Sequence, residues 1–437
     1  MIARSSSWLN KKKARLPIGV WLMFVVLALG GVAIYSIFFV RRDVLDFRPE
    51  HSFSVGDPAF FGSVHALGDP VPIGGNKITL LHNGDEIFPA LLEAIAGAKR
   101  SVNFEAFLFE SGTVASQFRD ALNERARAGV RVRVLLDGVG SGSKLDNDDV
   151  KALERAGCHF AYYHPTRSWR IDNMNRRTHR RILVVDGKVG FTGGVGFADL
   201  WQGKGDGPKS WRDVHARIEG PLVAKMQGAF QQHWARSFGE IIGGPDEFPE
   251  LPAAGPLQGQ MIASHSFSLA GLQVAQAVAI AAAEKRISIT NPYCTPSEDQ
   301  VALLLAAVKR GVEVRLLLPG KHNDQPWTKA AGRGAYGKLL AGGVKIFEYQ
   351  PGMIHSKTLV VDGLFSMFGS SNLDARSSAI NEELDITIYD PSFGAEMERV
   401  FDTDLSNAAP YTLEEFQQRS LWERTSEWVM IPFRSQL

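Results

Sequence analysis

The chain has 437 residues and a mass of 48.0 kDa, enough for about two or three ordinary domains, which excludes a small disulfide-stapled module. With 45% hydrophobic and 22% charged residues, and 48 Lys plus Arg against 47 Asp plus Glu, it is globular and nearly neutral, so an anionic partner must be met by a local patch. Two cysteines, Cys158 and Cys294, are too few for a Cys-rich metal centre and read as buried free thiols.

The first feature along the chain is Leu16 to Val40, 25 residues without a charge. At about 1.5 Å per helical residue this exceeds a hydrocarbon core of roughly 30 Å. It runs straight into Arg41 and Arg42 without a small-residue cleavage site, so it reads as an uncleaved single-pass transmembrane helix rather than a secretory signal. Arg4, Lys11, Lys12, Lys13 and Arg15 precede it, whereas Arg41, Arg42 and Arg48 behind it are partly offset by Asp43. That bias puts the N-terminus inside and the large domain outside. Residues 1–43 are thus a basic segment and anchor, and 44–76 a Gly- and Pro-rich connector.

Lys77 to His82 then reads as a strand ending at the turn signal Asn83-Gly84, followed by a helix over Phe88 to Ala98 and a strand over Ser101 to Phe107. A helix over Val114 to Ala128 and the apolar strand Val130 to Leu136 continue an α/β alternation. The same order returns as Val274 to Glu284 helix, Ile287 to Asn291 strand, Gln300 to Lys309 helix and Val312 to Leu318 strand. Gly129-Val-Arg-Val-Arg-Val-Leu-Leu136 matches Gly311-Val-Glu-Val-Arg-Leu-Leu-Leu318 at an offset of 182 residues. A diverged duplication accounts for this, giving lobes at 77–242 and 261–437 joined by a Gly, Pro and acidic linker at 243–260.

The repeat carries chemistry. His179-Arg-Arg181-Ile-Leu-Val-Val-Asp186-Gly187 returns 176 residues later as His355-Ser-Lys357-Thr-Leu-Val-Val-Asp362-Gly363. Residues two apart in an extended segment share a face, so each imidazole has a cation beside it. A phosphodiester needs such a pair: one group attacks or moves a proton while the other holds the nonbridging oxygens. A lone histidine beside an apolar strand is usually structural, but the matched recurrence points to a site. Asp186 and Asp362, each ahead of glycine, are expected to support turns and motif geometry.

This pattern, His-x-Lys-x₄-Asp in the second half and the same with Arg181 for lysine in the first, resembles the phospholipase D superfamily from Lys77 almost to the C-terminus. Asn291-Pro-Tyr293, Gly369-Ser-Ser-Asn372, Asp374-Ala-Arg-Ser377 and Asn381-Glu-Glu383 are most similar to bacterial cardiolipin synthases. The resemblance implies a duplicated two-lobe α/β fold with mixed sheets and one site between the lobes. It also implies a two-step exchange without metal or cofactor, in a bacterial inner membrane, on an anionic phospholipid such as phosphatidylglycerol. By resemblance His179 is the nucleophile and His355 the general acid, with Arg181 and Lys357 on the phosphate oxygens. Glu383 orients His179 and Asp213 orients His355, each across the lobes. Asn372 and the hydroxyls of Ser370 or Ser371 donate to phosphate.

The first copy departs from the family pattern at Arg181, where lysine is usual, and at Gly196, in the place that Asn372 holds in the second. A long stretch before His179 interleaves Arg167, Trp169, Arg170, Arg176 and Arg177, which favours an anionic headgroup over nucleic acid in an anchored, near-neutral chain. Arg176 and Arg177 are therefore added to the substrate-binding set. Phosphatidyl transfer to a second phosphatidylglycerol is the leading function; hydrolysis, nuclease action and lipid binding without turnover remain as alternatives.

Overall fold

The two matched apolar runs take equivalent places in the architecture. In the computed structural model, which describes residues 18–38, 49, 51–65, 72–165, 175–264 and 271–436, they are the strands Arg131–Asp137 and Glu313–Pro319, still 182 residues apart. Each is buried over six consecutive residues, as a strand covered by helices on both faces must be.

In chain order the first half contributes β1 (Ile73–His82), β2 (Ser101–Ala106), β3 (Arg131–Asp137), β4 (His159–Tyr163), β5 (Ile182–Val185), β6 (Val189–Gly193), β7 (Trp211–Arg212) and β8 (Val214–Glu219). The second contributes β9 (Leu257–Ala263), β10 (Arg286–Thr290), β11 (Glu313–Pro319), β12 (Lys345–Tyr349), β13 (Met353–Ile354), β14 (Thr358–Val361), β15 (Phe365–Gly369), β16 (Leu384–Tyr389) and β17 (Ala408–Tyr411). Among the described residues, β7 and β13 pair with each other and the other fifteen strands form one mixed sheet. From the antiparallel β1/β9 pair at its middle, the order is β8-β6-β5-β2-β3-β4 on one side and β16-β15-β14-β10-β11-β12 on the other, with β17 at the edge. The parallel triplets β2-β3-β4 and β10-β11-β12 need crossovers, supplied by helices Thr113–Arg127 and Asn147–Ala156 and by Glu298–Lys309 and Pro326–Ala341.

A large apolar core lies in each half, around Phe104, Phe118 and Phe197 in the first and Leu304, Leu316 and Leu339 in the second. A third crosses the β1/β9 seam, joining Ile78, Ala216 and Phe230 to Phe368, Ile386 and Met397. The halves therefore share buried surface and do not merely touch.

Three expectations are adjusted. Residues 51–65, read as part of a connector, include helix Pro58–His65 and bury Val55, Phe60 and Val64 in the second core. Their backbone is tied in by Val55 N to Ala282 O at 3.2 Å and Tyr389 Oη to Val55 O at 2.8 Å. β1 begins at Ile73, four residues early, because Gly75 at φ +84° lets an irregular register continue the pairing with β9. Asn83, at φ +56°, opens helix Asn83–Gly97 directly instead of making a separate turn. Gly84 is needed there because a Cβ would lie 2.0 Å from the Trp201 carbonyl.

Residues 1–42 form a unit separate from 43–437. The first holds helix Ile18–Phe38, 21 residues without a charge, whose side chains at Leu22, Phe24, Val26 and Leu29 are exposed. Among the described residues no helix is long and apolar enough to cross a membrane. The flanking basic residues, and Arg167, Trp169 and Arg170, lie outside the described residues. Both cysteines are free and buried.

Asp186-Gly187 and Asp362-Gly363 form equivalent turns with φ of +53°, +64°, +56° and +65°, and Lys188 N to Val185 O and Leu364 N to Val361 O close the loops. The Asp186 carboxylate accepts from the backbone N–H groups of Lys99, Arg100 and Ser101; that of Asp362 accepts from Glu284, Lys285 and Arg286. Each aspartate thus fastens a hairpin to the start of the neighbouring strand. Asp362→Ala should cost about 2 kcal/mol and lower the thermal midpoint, while kcat in the folded protein stays within about threefold.

Candidate active site

His179 and His355 sit just before β5 and β14, strands at equivalent places on either side of the β1/β9 pair. Both are fixed by backbone bonds to the opposite half: His179 N donates to Glu382 O at 2.8 Å, and His355 N donates to Arg212 O at 2.7 Å. The β7/β13 pair and the bridge between Thr178 and Glu382 continue these contacts. Asp137 at the end of β3 braces the first histidine by accepting from Thr178 N at 3.0 Å and Arg177 Nη1 at 3.3 Å.

The side chains cross in the same way. His179 Nδ1 donates to Glu383 Oε2 at 2.9 Å, and His355 Nδ1 donates to Asp213 Oδ2 at 2.8 Å. Each carboxylate is fully buried. Glu383 also accepts from Ser370 Oγ at 2.6 Å, Ser377 Oγ at 2.7 Å and Asn381 Nδ2 at 3.4 Å. Asp213 accepts from Val214 N at 2.8 Å and from the Trp201 indole N–H at 2.9 Å. With Nδ1 donating to a carboxylate, Nε2 carries the lone pair. Arg181 Nη2 lies 3.0 Å from His179 Nε2 and Lys357 Nζ 3.0 Å from His355 Nε2, so cation and imidazole do face the same side.

Burial and then the Arg181 charge push His179 down to about 4, against Glu383. Burial and then Lys357 push His355 down to about 3, against Asp213. Burial also lowers Arg181, and brings Lys357 to about 7 despite the nearby Asp213. Burial opposes the ionised form of both carboxylates, but the histidine partners and the hydroxyl and indole donors outweigh it, holding Asp213 near 2 and Glu383 below its ordinary value. Near pH 7 both imidazoles are thus neutral over ionised carboxylates, with the Arg181 guanidinium beside His179 and a Lys357 amine that is about half protonated beside His355. An anion entering between Arg181 and Lys357 offsets the charges that depress the imidazoles and raises both toward protonation.

Other expected residues are placed differently. The Ser370 hydroxyl is on Glu383 and that of Ser371 on Asp385 Oδ2, so both hold carboxylates. Arg177 is buried against Asp137 and the His164 carbonyl; Arg176 is half-buried, its own carbonyl 3.0 Å from His164 Nδ1. Asn372 is buried, its Oδ1 has no hydrogen-bond partner among the described residues, and its backbone N–H donates to Ser377 Oγ at 3.1 Å. Aromatic walls were not anticipated. Phe107 meets the His179 ring edge-on at 5.0 Å, and Trp201, Trp211 and Tyr293 surround His355 at 5.2, 4.9 and 5.9 Å.

Residues 91–234 and 277–405 match the protein family described as "Cardiolipin synthase, PLD-like domain". The chain is 34% identical to cardiolipin synthase A of Pseudomonas syringae, over 80% of this chain and 72% of that protein. It is also 34% identical to the cardiolipin synthase of Geobacillus kaustophilus, over 81% and 71%. A crystal structure of phosphatidylserine synthase from Haemophilus influenzae superposes on 86% of the chain and all of its own length, with a TM-score of 0.64 at 13% identity, a likeness of fold. With its two histidine segments inside the matched regions, the chain belongs to the cardiolipin synthase family of phospholipase D-like proteins.

Proposed function

We propose that the chain is a phosphatidyltransferase that joins two phosphatidylglycerol molecules into cardiolipin and releases glycerol through a phosphohistidine at His179. Family membership supports the activity, and the crossed His179–Glu383 and His355–Asp213 pairs carry the mechanism. His179 Nε2 attacks phosphorus, the bond from phosphorus to the glycerol oxygen breaks, and His355 gives its proton to that oxygen. The hydroxyl of the second lipid then passes its proton to His355 and attacks phosphorus, breaking the N–P bond and freeing His179. Arg181 and Lys357 bear the nonbridging oxygens through both steps. The entering diester supplies the negative charge that lets His355 take up its proton.

The repeated strand order supports reading the halves, 77–242 and 261–437, as a duplication with a linker at 243–260. The uncharged run from Leu16 to Val40 supports a single-pass anchor in the inner membrane, with the catalytic unit facing outward. Protease added to sealed spheroplasts should then digest the catalytic unit; digestion only in inverted vesicles would reverse the orientation.

Full-length enzyme in phosphatidylglycerol micelles should yield cardiolipin and glycerol by mass analysis. His179→Asn and His355→Asn should each lose at least about a thousandfold. Phosphatidic acid alone would make the protein a hydrolase, and DNA cleavage outpacing lipid turnover would remove the lipid assignment.

The histidine roles separate with phosphatidyl-p-nitrophenol, whose leaving group departs without a proton. His355→Ala should still release a burst of about one equivalent of p-nitrophenol, whereas His179→Ala should release none. The reverse pattern would exchange the two roles.

A further inference from the structure

Gly196 stands 176 residues before Asn372, the spacing that separates the two histidines, so the first half lacks a side chain where the second has an amide. The space is not empty. A Cβ at Gly196 would lie 2.8 Å from two carbons of the Trp201 six-membered ring, so the indole occupies the place a side chain there would need. Trp201 is 1% exposed and its Nε1 donates to Asp213 Oδ2, the same oxygen that accepts from His355 Nδ1.

The indole is held from several sides. The Asp199 carboxylate accepts from Thr113 N at 3.1 Å and Val114 N at 2.9 Å, pinning the short turn Asp199–Trp201 to the start of helix Thr113–Arg127. Trp211 packs on the Trp201 ring at 4.3 Å between centroids, and both rings contact His355. Glu383, by contrast, is held by hydroxyls of its own half. We infer that Trp201 is a positioning residue for the second histidine: its N–H fixes the Asp213 oxygen on which His355 turns, in room that Gly196 leaves open. The inference rests on the reading of His355 as the proton-transfer group.

Two donors on one carboxylate oxygen weaken each other, so removing the indole N–H strengthens the remaining bond while freeing the carboxylate to rotate. Trp201→3-benzothienylalanine keeps the bicyclic outline and replaces N–H with sulfur; Trp201→Phe and Gly196→Ala, the latter displacing the ring, probe the same point. In the full-length protein the His355 Nδ1–H proton resonance, assigned by its loss in His355→Asn, should move downfield in the benzothienyl variant. Turnover of phosphatidylglycerol should fall roughly tenfold, a difference of about 1.4 kcal/mol, while the p-nitrophenol burst stays within about twofold because it needs no proton donor. Gly196→Ala combined with Trp201→Phe should be no slower than the worse single variant. An unmoved resonance overturns the inference, and so does an equal fall in turnover and burst. A wild-type enzyme giving no burst would count against the phosphohistidine, not against the role of Trp201, because the His355 resonance is read without substrate.

Discussion

Everything in the catalytic unit is arranged around two carboxylates that have no water to ionise in. Asp213 and Glu383 are fully buried, and a carboxylate in that position is tolerable only with close donors and a nearby positive charge. Each finds its imidazole on the other half of the chain. The seam must therefore be rigid to a fraction of an ångström, which explains why a third apolar core crosses it and why β1 and β9 join the halves into one sheet. Backbone bonds from His179 to Glu382 and from His355 to Arg212 fix the height of each ring before its side chain is considered.

The two sites are alike in plan and unlike in detail. Glu383 is ringed by Ser370, Ser377 and Asn381, small polar groups on loops of the second half. Asp213 is supported by one backbone N–H and one large aromatic donor. The cations differ as well, a planar guanidinium at Arg181 and a compact ammonium at Lys357. Such asymmetry suits a reaction in which one histidine makes a bond to phosphorus and the other only handles protons.

How much of this could be read from residues alone depended on whether the signal was periodic. The paired histidines, their cations and the aspartate turns recur at one spacing, and β3 and β11 recur at another, so the fold class and the pairing of each histidine with a cation are legible. Asp213 and Glu383 obey no period relative to their histidines and entered only through resemblance. Ser370 and Ser371 were expected on phosphate because a hydroxyl has the same formula wherever it points; burial decides that the nearest carboxylates claim them. Trp201 and Trp211 are two of nine tryptophans, and nothing in the sequence separates them from core; the space beside Gly196 that Trp201 fills exists only in the fold. Residues 51–65 look like a linker by composition, yet three apolar side chains suffice to seat them on the second core.

The crossing of partners also sets when the enzyme can come alive. His179 waits for an acid 204 residues downstream, and Asp213 for a histidine 142 residues downstream. During synthesis the first half can collapse around its own aromatic core while its histidine still lacks the glutamate that aligns it, and such long closures form late. His179 therefore lacks the carboxylate that aligns it until nearly all of the chain has been made, so the same separation that builds the seam delays completion of the site to the end of synthesis.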